Sequence, residues 1–155
     1  MEKSFVINIS EVIAKHADKH EKFESYNKTI VPRRDDGLCR VHVYELPPGK
    51  AYCPYHYHTM SEEMFYILQG TGRLTTPEGD RMVSTGDFLF FPANANGAHK
   101  LVNSSETEML VYIDFDTTAP MDISFYPDSG KVGIWGKDTN KLFKLSDAVE
   151  YYEGE

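Results

Sequence analysis

Cysteine is scarce. Cys39 and Cys53 are the two in the chain, and they make no C-x-x-C pair. At 155 residues the chain is long enough to need no disulfide staples, and a reduced, intracellular setting is expected. Long apolar runs are missing as well. The opening MEKSFVINISEVIAKH holds none long enough for a secretory signal, and nothing later approaches the roughly 18 apolar residues of a membrane span. A cytoplasmic protein is the expectation. Basic residues are in deficit, 16 Lys and Arg against 24 Asp and Glu, for a net charge of −8. Without a basic stripe the chain lacks the cations that neutralise phosphate, so neither nucleic acid nor membrane is expected as a partner. Internal repeats, low-complexity tracts and long linkers are absent too, which points to one domain with terminal extensions.

What the chain does have is aromatic residues, ten Tyr and nine Phe, in short runs. After Pro32 the segments CRVHVYEL, EMFYILQ, FLFF and TEMLVYIDF recur between Gly, Pro, Asn and Asp turn signals. Strands of this length without intervening helical periodicity predict an all-β antiparallel sandwich or barrel. Before them, Asn8 to Phe23 reads as a helix, with Asn8 as N-cap and Glu11 completing a capping box. The tail KLFKLSDAVEYYEGE reads as a further strand or short helix, with Trp135 as its anchor.

The stretch YCPYHYHTMSEEMFYILQG places His56, His58, Glu62 and Glu63 within eight residues. On a strand His56 and His58 share one face, about 6.6–6.8 Å apart, and form half of a metal site. Thr59-Met60-Ser61 breaks the alternation and is expected to reverse the chain as a hairpin, bringing Glu63 beside the histidines. The following run is apolar on both faces apart from Glu63, so that carboxylate needs a partner, a hydrogen bond or a metal. Glu62 faces the other way, as a rim charge. Ordinary polar groups at a barrel rim are the alternative to a metal site.

These residues resemble the first motif of the cupin superfamily, G(X)5HXH(X)3,4E(X)6G, as Gly49, His56, His58, Glu63 and Gly70. GDFLFFPANANGAHKLVN resembles the second, G(X)5PXG(X)2H(X)3N, through Gly86, Pro92, Gly97, His99 and Asn103. One extra residue before His56 and two between Pro92 and His99 depart from the pattern, both in loops. The resemblance implies a double-stranded β-helix, the jelly-roll or cupin barrel, over 38–115, with extensions 1–37 and 116–155 packed on it. It implies one divalent transition metal, Fe, Mn, Zn, Ni or Co, on His56, His58, Glu63 and His99. It also implies a metal-dependent enzyme, an isomerase or lyase or else a dioxygenase, acting on a small oxygenated molecule such as a sugar or organic acid. A non-catalytic sensing or small-molecule-binding cupin is the alternative. A homodimer is expected, with the N-terminal segment as the element for exchange between subunits.

Other candidates are weaker. Arg40 and His42 share one face of CRVHVYEL, and they meet a substrate if that face looks into the barrel. Tyr112, with Tyr55 and Tyr66, offers a hydroxyl to a ligand. Cys53 reads as a small buried hydrophobe rather than a further ligand. His16 and His20 read as a solvated face. The cations near the site are Arg40 and Lys100, too few to favour a sugar phosphate.

Overall fold

Antiparallel pairing organises the chain, which a computed structural model describes over residues 3–155. Strands β1 (Lys15–His20), β2 (Phe23–Val31) and β3 (Cys39–Leu46) come first, followed by the two-residue β4 (Tyr57–His58). Next are β5 (Glu63–Gln69), β6 (Thr71–Thr76), β7 (Gly79–Ser84) and β8 (Phe88–Phe91). The last are β9 (Lys100–Asn103), β10 (Leu110–Thr117), β11 (Met121–Tyr126), β12 (Lys131–Gly136) and β13 (Asn140–Lys144). They form a six-stranded sheet ordered β1-β2-β3-β10-β5-β8, a four-stranded sheet β13-β12-β11-β4 and a three-stranded sheet β7-β6-β9. The architecture is an all-β jelly roll, one wall of which is the six-stranded sheet. Among the described residues no helix is long and apolar enough to cross a membrane.

Side-chain alternation decides what each strand offers the interior. Along β10 the inward residues are Leu110, Tyr112, Asp114 and Asp116, all buried, while Phe115 faces out. Register sets Tyr112 beside Ile67, Asp114 beside Phe65 and Asp116 beside Glu63 on β5. On the other flank the same three residues face Tyr44, His42 and Arg40 of β3. The interior is therefore apolar at one end and ionisable at the other. Leu46, Ile67, Leu74, Leu89, Leu101 and Leu110 join the aromatic rings in the apolar half. Each such side chain contributes about 1.5–3 kcal/mol on burial, enough to anchor a mouth crowded with polar groups.

Two motif glycines have steric reasons. Gly70 turns β5 into β6 at φ +88°, and a Cβ there would lie 2.5 Å from the Met109 carbonyl oxygen. Gly97 approaches Pro92 so closely that a Cβ would meet its carbonyl oxygen at 2.0 Å. The compressed loop delivers His99 to the mouth.

The helix expected over Asn8 to Phe23 does not form. A single 3-10 turn, Ile9–Glu11, follows Asn8, whose side chain accepts from the Ser10 amide as a cap should. From Lys15 the chain is strand instead, because β2 supplies a partner ladder that a thin apolar stripe could not replace. His16 and His20 lie on that strand, and His16 pairs with Glu24 at 3.1 Å. The hairpin expected at Thr59-Met60-Ser61 is also replaced. β4 pairs with β11 whereas β5 pairs with β10 and β8, so the connection carries the chain from one wall to the other. The reversal is held from outside the segment. Asp122 Oδ1 accepts from the Thr59 and Met60 amides at 3.3 and 2.9 Å, and Thr117 Oγ1 accepts from the Glu62 amide at 2.8 Å.

Candidate metal centre

His56 and His99 face each other across an isolated antiparallel bridge, exchanging backbone hydrogen bonds of 3.1 and 2.9 Å. His58 follows on β4, and Glu63 opens β5 on the opposite wall. Their side chains converge. Glu63 Oε2 stands 3.6 Å from His56 Nε2 and 3.3 Å from His99 Nε2, and Oε1 stands 3.7 Å from His58 Nε2. Donors about 2.1 Å from one ion and 90–110° apart are themselves about 3.0–3.4 Å apart, so a divalent ion fits among them with slight contraction. His56, His58 and Glu63 form the mutually close group, with His99 reached through Glu63.

The ring nitrogens pointing away from that space are all engaged. His56 Nδ1–H donates to the Pro54 carbonyl at 3.0 Å and His99 Nδ1–H to the Gly97 carbonyl at 2.9 Å. His58 Nδ1–H donates to Asp122 Oδ2 at 2.6 Å, with Ser124 Oγ 3.0 Å away. Trp135 Nε1 in turn donates to Ser124 Oγ at 2.7 Å. Each imidazole is thereby fixed as the tautomer whose Nε2 lone pair faces Glu63, the arrangement that metal-binding histidines use. His99 Nε2 is buried and has no hydrogen-bond partner among the described residues. An orphaned nitrogen there is costly in a finished core and natural in a ligand. Phe91 stacks on the His99 ring at 3.6 Å, and Phe65 meets its edge.

Asp122 is a functional residue that the sequence reading missed. It sits on β11, 64 residues beyond His58, and no local spacing signals it. One carboxylate both orients an imidazole and ties down the wall-to-wall connection. Burial opposes its ionisation, but the bond to His58 holds it well below the usual carboxylate range.

A row of ionisable groups runs across the mouth: Arg40, Asp116 and Glu63 are consecutive cross-strand neighbours. Arg40 Nε donates to Asp116 Oδ2 in a short contact. Glu63, Asp114 and Asp116 form a second cluster of close carboxylates, and among the described residues the Oδ1 atoms of Asp114 and Asp116 have no hydrogen-bond partner. Burial pushes Glu63 up to about 7, and burial together with Asp116 pushes Asp114 well above its ordinary value. Burial and the neighbouring His58 lower His56 to about 4, and burial sends His99 well below the usual imidazole range. For His58 burial is outweighed by Asp122 and Glu63, and its pKa is raised.

A cavity of about 430 Å³ opens over this centre, within the size range of small-molecule sites. His56, His58 and Glu63 line it together with Arg33, Arg40 and Asp114. Of the weaker candidates, Arg40 faces the cavity. His42 does not line it; the ring bonds to Asn27 Oδ1 at 3.0 Å, between β2 and β3. Tyr112 is buried beneath, against Phe65 and Tyr44. Lys100 lies off the cavity, 4.0 Å from Asp128, while Arg33, which the sequence reading passed over, stands in its wall. Cys53 also lines it, with Sγ 3.7 Å from His56 Nδ1, and burial raises its thiol well above the ordinary range. An inert thiol results.

A jelly roll with histidines and a carboxylate converging at its mouth is the cupin arrangement, and residues 42–115 match the family model described as "Cupin domain". The chain belongs to the cupin superfamily. Over 94% of its length it superposes on 93% of a protein of Acidithiobacillus ferrooxidans described as "Putative sugar phosphate isomerase", with a TM-score of 0.79 and 27% identity. A sugar phosphate isomerase from Silicibacter pomeroyi gives a TM-score of 0.78 over 95% of this chain and 97% of that one; at 15% identity the likeness is one of fold. Among curated proteins, a "Probable oxalate decarboxylase" of Arthroderma benhamiae is 33% identical over 88 residues. That match covers 53% of this chain and 22% of the relative, so the chain spans less than a quarter of the relative's length.

Proposed function

We propose that this cupin is a metal-dependent enzyme of the isomerase or lyase type, acting on a small oxygenated organic molecule such as a sugar or organic acid. His56, His58, Glu63 and His99 hold one divalent transition metal in this reading. The observation that carries it is the set of three imidazoles whose Nδ1 atoms are all occupied, leaving their Nε2 atoms directed at Glu63 beneath an open cavity. A bound divalent ion supplies a Lewis acid that polarises a substrate carbonyl or hydroxyl.

The chain's own groups do the rest. Phe65 and Phe91 pack against His99 below the site, and Phe88 points away from the barrel at 65% exposure, so aromatic side chains floor the cavity without filling it. Asp114 presents a buried, unpartnered oxygen at the cavity wall, a group that accepts from or donates to a substrate hydroxyl. Likeness to the Acidithiobacillus ferrooxidans protein over nearly the whole chain favours isomerase chemistry over oxygen chemistry.

Elemental analysis of untagged protein, beside His56→Ala and His99→Ala, tests the reading. About one equivalent of transition metal in the parent, lost in both variants, is expected. Protein that is metal-free and takes up none of Mn, Fe, Co, Ni or Zn would leave a non-catalytic binding cupin. If the metal is iron and the protein consumes dioxygen with an organic acid, the dioxygenase branch replaces the isomerase one.

A further inference from the structure

Resting on that reading, we infer that the substrate carries an anionic group, a carboxylate or a phosphate, and that Arg33 is the residue that selects it. Two arginines line the cavity over the His and Glu cluster, and they are not equivalent. Arg40 is spent: its guanidinium pairs with Asp116 and lies among Asp114 and Glu63, which hold it charged in spite of burial. Its charge balances the acidic row and leaves no excess for a ligand.

Arg33 has no carboxylate partner among the described residues. Its one hydrogen bond runs from Nη2 to the Ala119 carbonyl at 2.8 Å. That bond aims the guanidinium from the β2–β3 loop across the β10–β11 loop. Four of its five N–H donors remain for a ligand. A planar fork with one corner fixed is suited to a carboxylate or phosphate, which accept two parallel hydrogen bonds.

The neighbours of Arg33 show where the anion lies. A second cavity, of about 440 Å³, shares Arg33, Thr118 and Asn140 with the first. Arg33 thus stands where the two spaces meet, between the candidate metal centre and the surface. Of the second cavity's other cations, Lys137 is paired with Asp35 at 2.8 Å, and Arg34 is engaged as well. A ligand anchored by oxygen atoms at the floor meets Arg33 on its way out, and a terminal anion is what that guanidinium recognises. Arg33 also removes the reason for disfavouring phosphorylated sugars, which rested on Arg40 and Lys100.

The test compares three probes that differ at one end: sorbitol, gluconate and sorbitol 6-phosphate. Their dissociation constants are measured by calorimetry on the parent protein, Arg33→Gln and Arg33→Lys, with metal content determined on the same samples. In the parent, at least one anionic probe should bind about 10-fold or more tightly than sorbitol, as expected for a charge-assisted pair. In Arg33→Gln that preference should fall to within about 3-fold, with Arg33→Lys intermediate, because charge survives while the fork is lost. Which anion shows the preference distinguishes carboxylate from phosphate. An anion preference that persists in Arg33→Gln, equal binding of the three probes by the parent, or no binding of any of them to metal-loaded parent overturns the inference. Loss of metal would instead strike at the proposed function, and it is read separately.

Discussion

Metal affinity should depend on pH in a way that counts the protons held by the empty cluster. A divalent ion on His56, His58, Glu63 and His99 must displace whatever protons those groups carry. His56, at about 4, and His99, well below its ordinary value, carry none between pH 5 and 8. Glu63, at about 7, and His58, raised above the ordinary 6.5, do. Taking Glu63 alone from pH 8 to pH 5, the ionised fraction falls about 90-fold, which weakens binding by about 2.7 kcal/mol. His58 adds at least the roughly 30-fold that an ordinary imidazole would contribute over the same interval. The logarithm of affinity should therefore rise with pH at a slope approaching two below pH 6 and flatten above pH 8.

The sign runs opposite for the metal-free fold, where the raised Glu63 carboxyl contributes stability below its ordinary 4.5 that is lost as pH rises through about 7. The lowered histidines act the other way. Their stability is present above 6.5 and lost as pH falls toward about 4 for His56. The assay is calorimetry with Mn²⁺ or Zn²⁺ in buffers of differing ionisation enthalpy, which counts released protons directly. Close to two protons per metal at pH 6 is the expected result. Near three would mean that all the imidazoles titrate as if exposed, and near zero that the carboxylate and His58 have both already lost their protons. Either refutes the burial argument.

Asp122→Asn keeps an oxygen for the Thr59 and Met60 amides but removes the charge on His58 Nδ1, so metal should bind about 10–100-fold more weakly at unchanged stoichiometry, read by competition with a chelator. Phe65→Ala should cost about 3–5 kcal/mol in denaturant unfolding, because the ring is buried against Phe91, Tyr112 and His99. Phe88→Ser, on the outer face at 65% exposure, should change stability by no more than about 0.5 kcal/mol in the same experiment. Light scattering should give twice 17.7 kDa if the exposed apolar residues Phe5, Val6, Ile7, Ile9 and Ile13 are covered by a second copy; a mass of one chain removes the dimer proposal.

The convergence of His56, His58, Glu63 and His99 was legible because two short motifs carry them at spacings that a strand and a compressed loop translate into one direction. The β class was legible for a similar reason, since runs such as CRVHVYEL and EMFYILQ alternate over strand lengths. What escaped was everything decided by a distant partner. Lys15–His20 carries charges that suit a helix surface, yet it forms β1 because β2 offers it a ladder. Thr59-Met60-Ser61 looks like a hairpin turn until Asp122 and Thr117 draw it across to the other wall. Arg33 and Asp122 reach the site from a loop and a strand far from either motif, so no window of sequence could have joined them to it.

Strand β10 keeps two accounts on one face. Leu110 and Tyr112 belong to the packed end, and two residues further on Asp114 and Asp116 belong to the reactive end. Because the pleat repeats every second residue, a change at Asp114 leaves the Leu110 environment in register, and the converse holds. A scaffold laid out this way can exchange one chemistry for another by rewriting the last inward positions of a few strands while its foundation stays in place. Kinship between such proteins would then persist in the packed half long after their reactions had diverged.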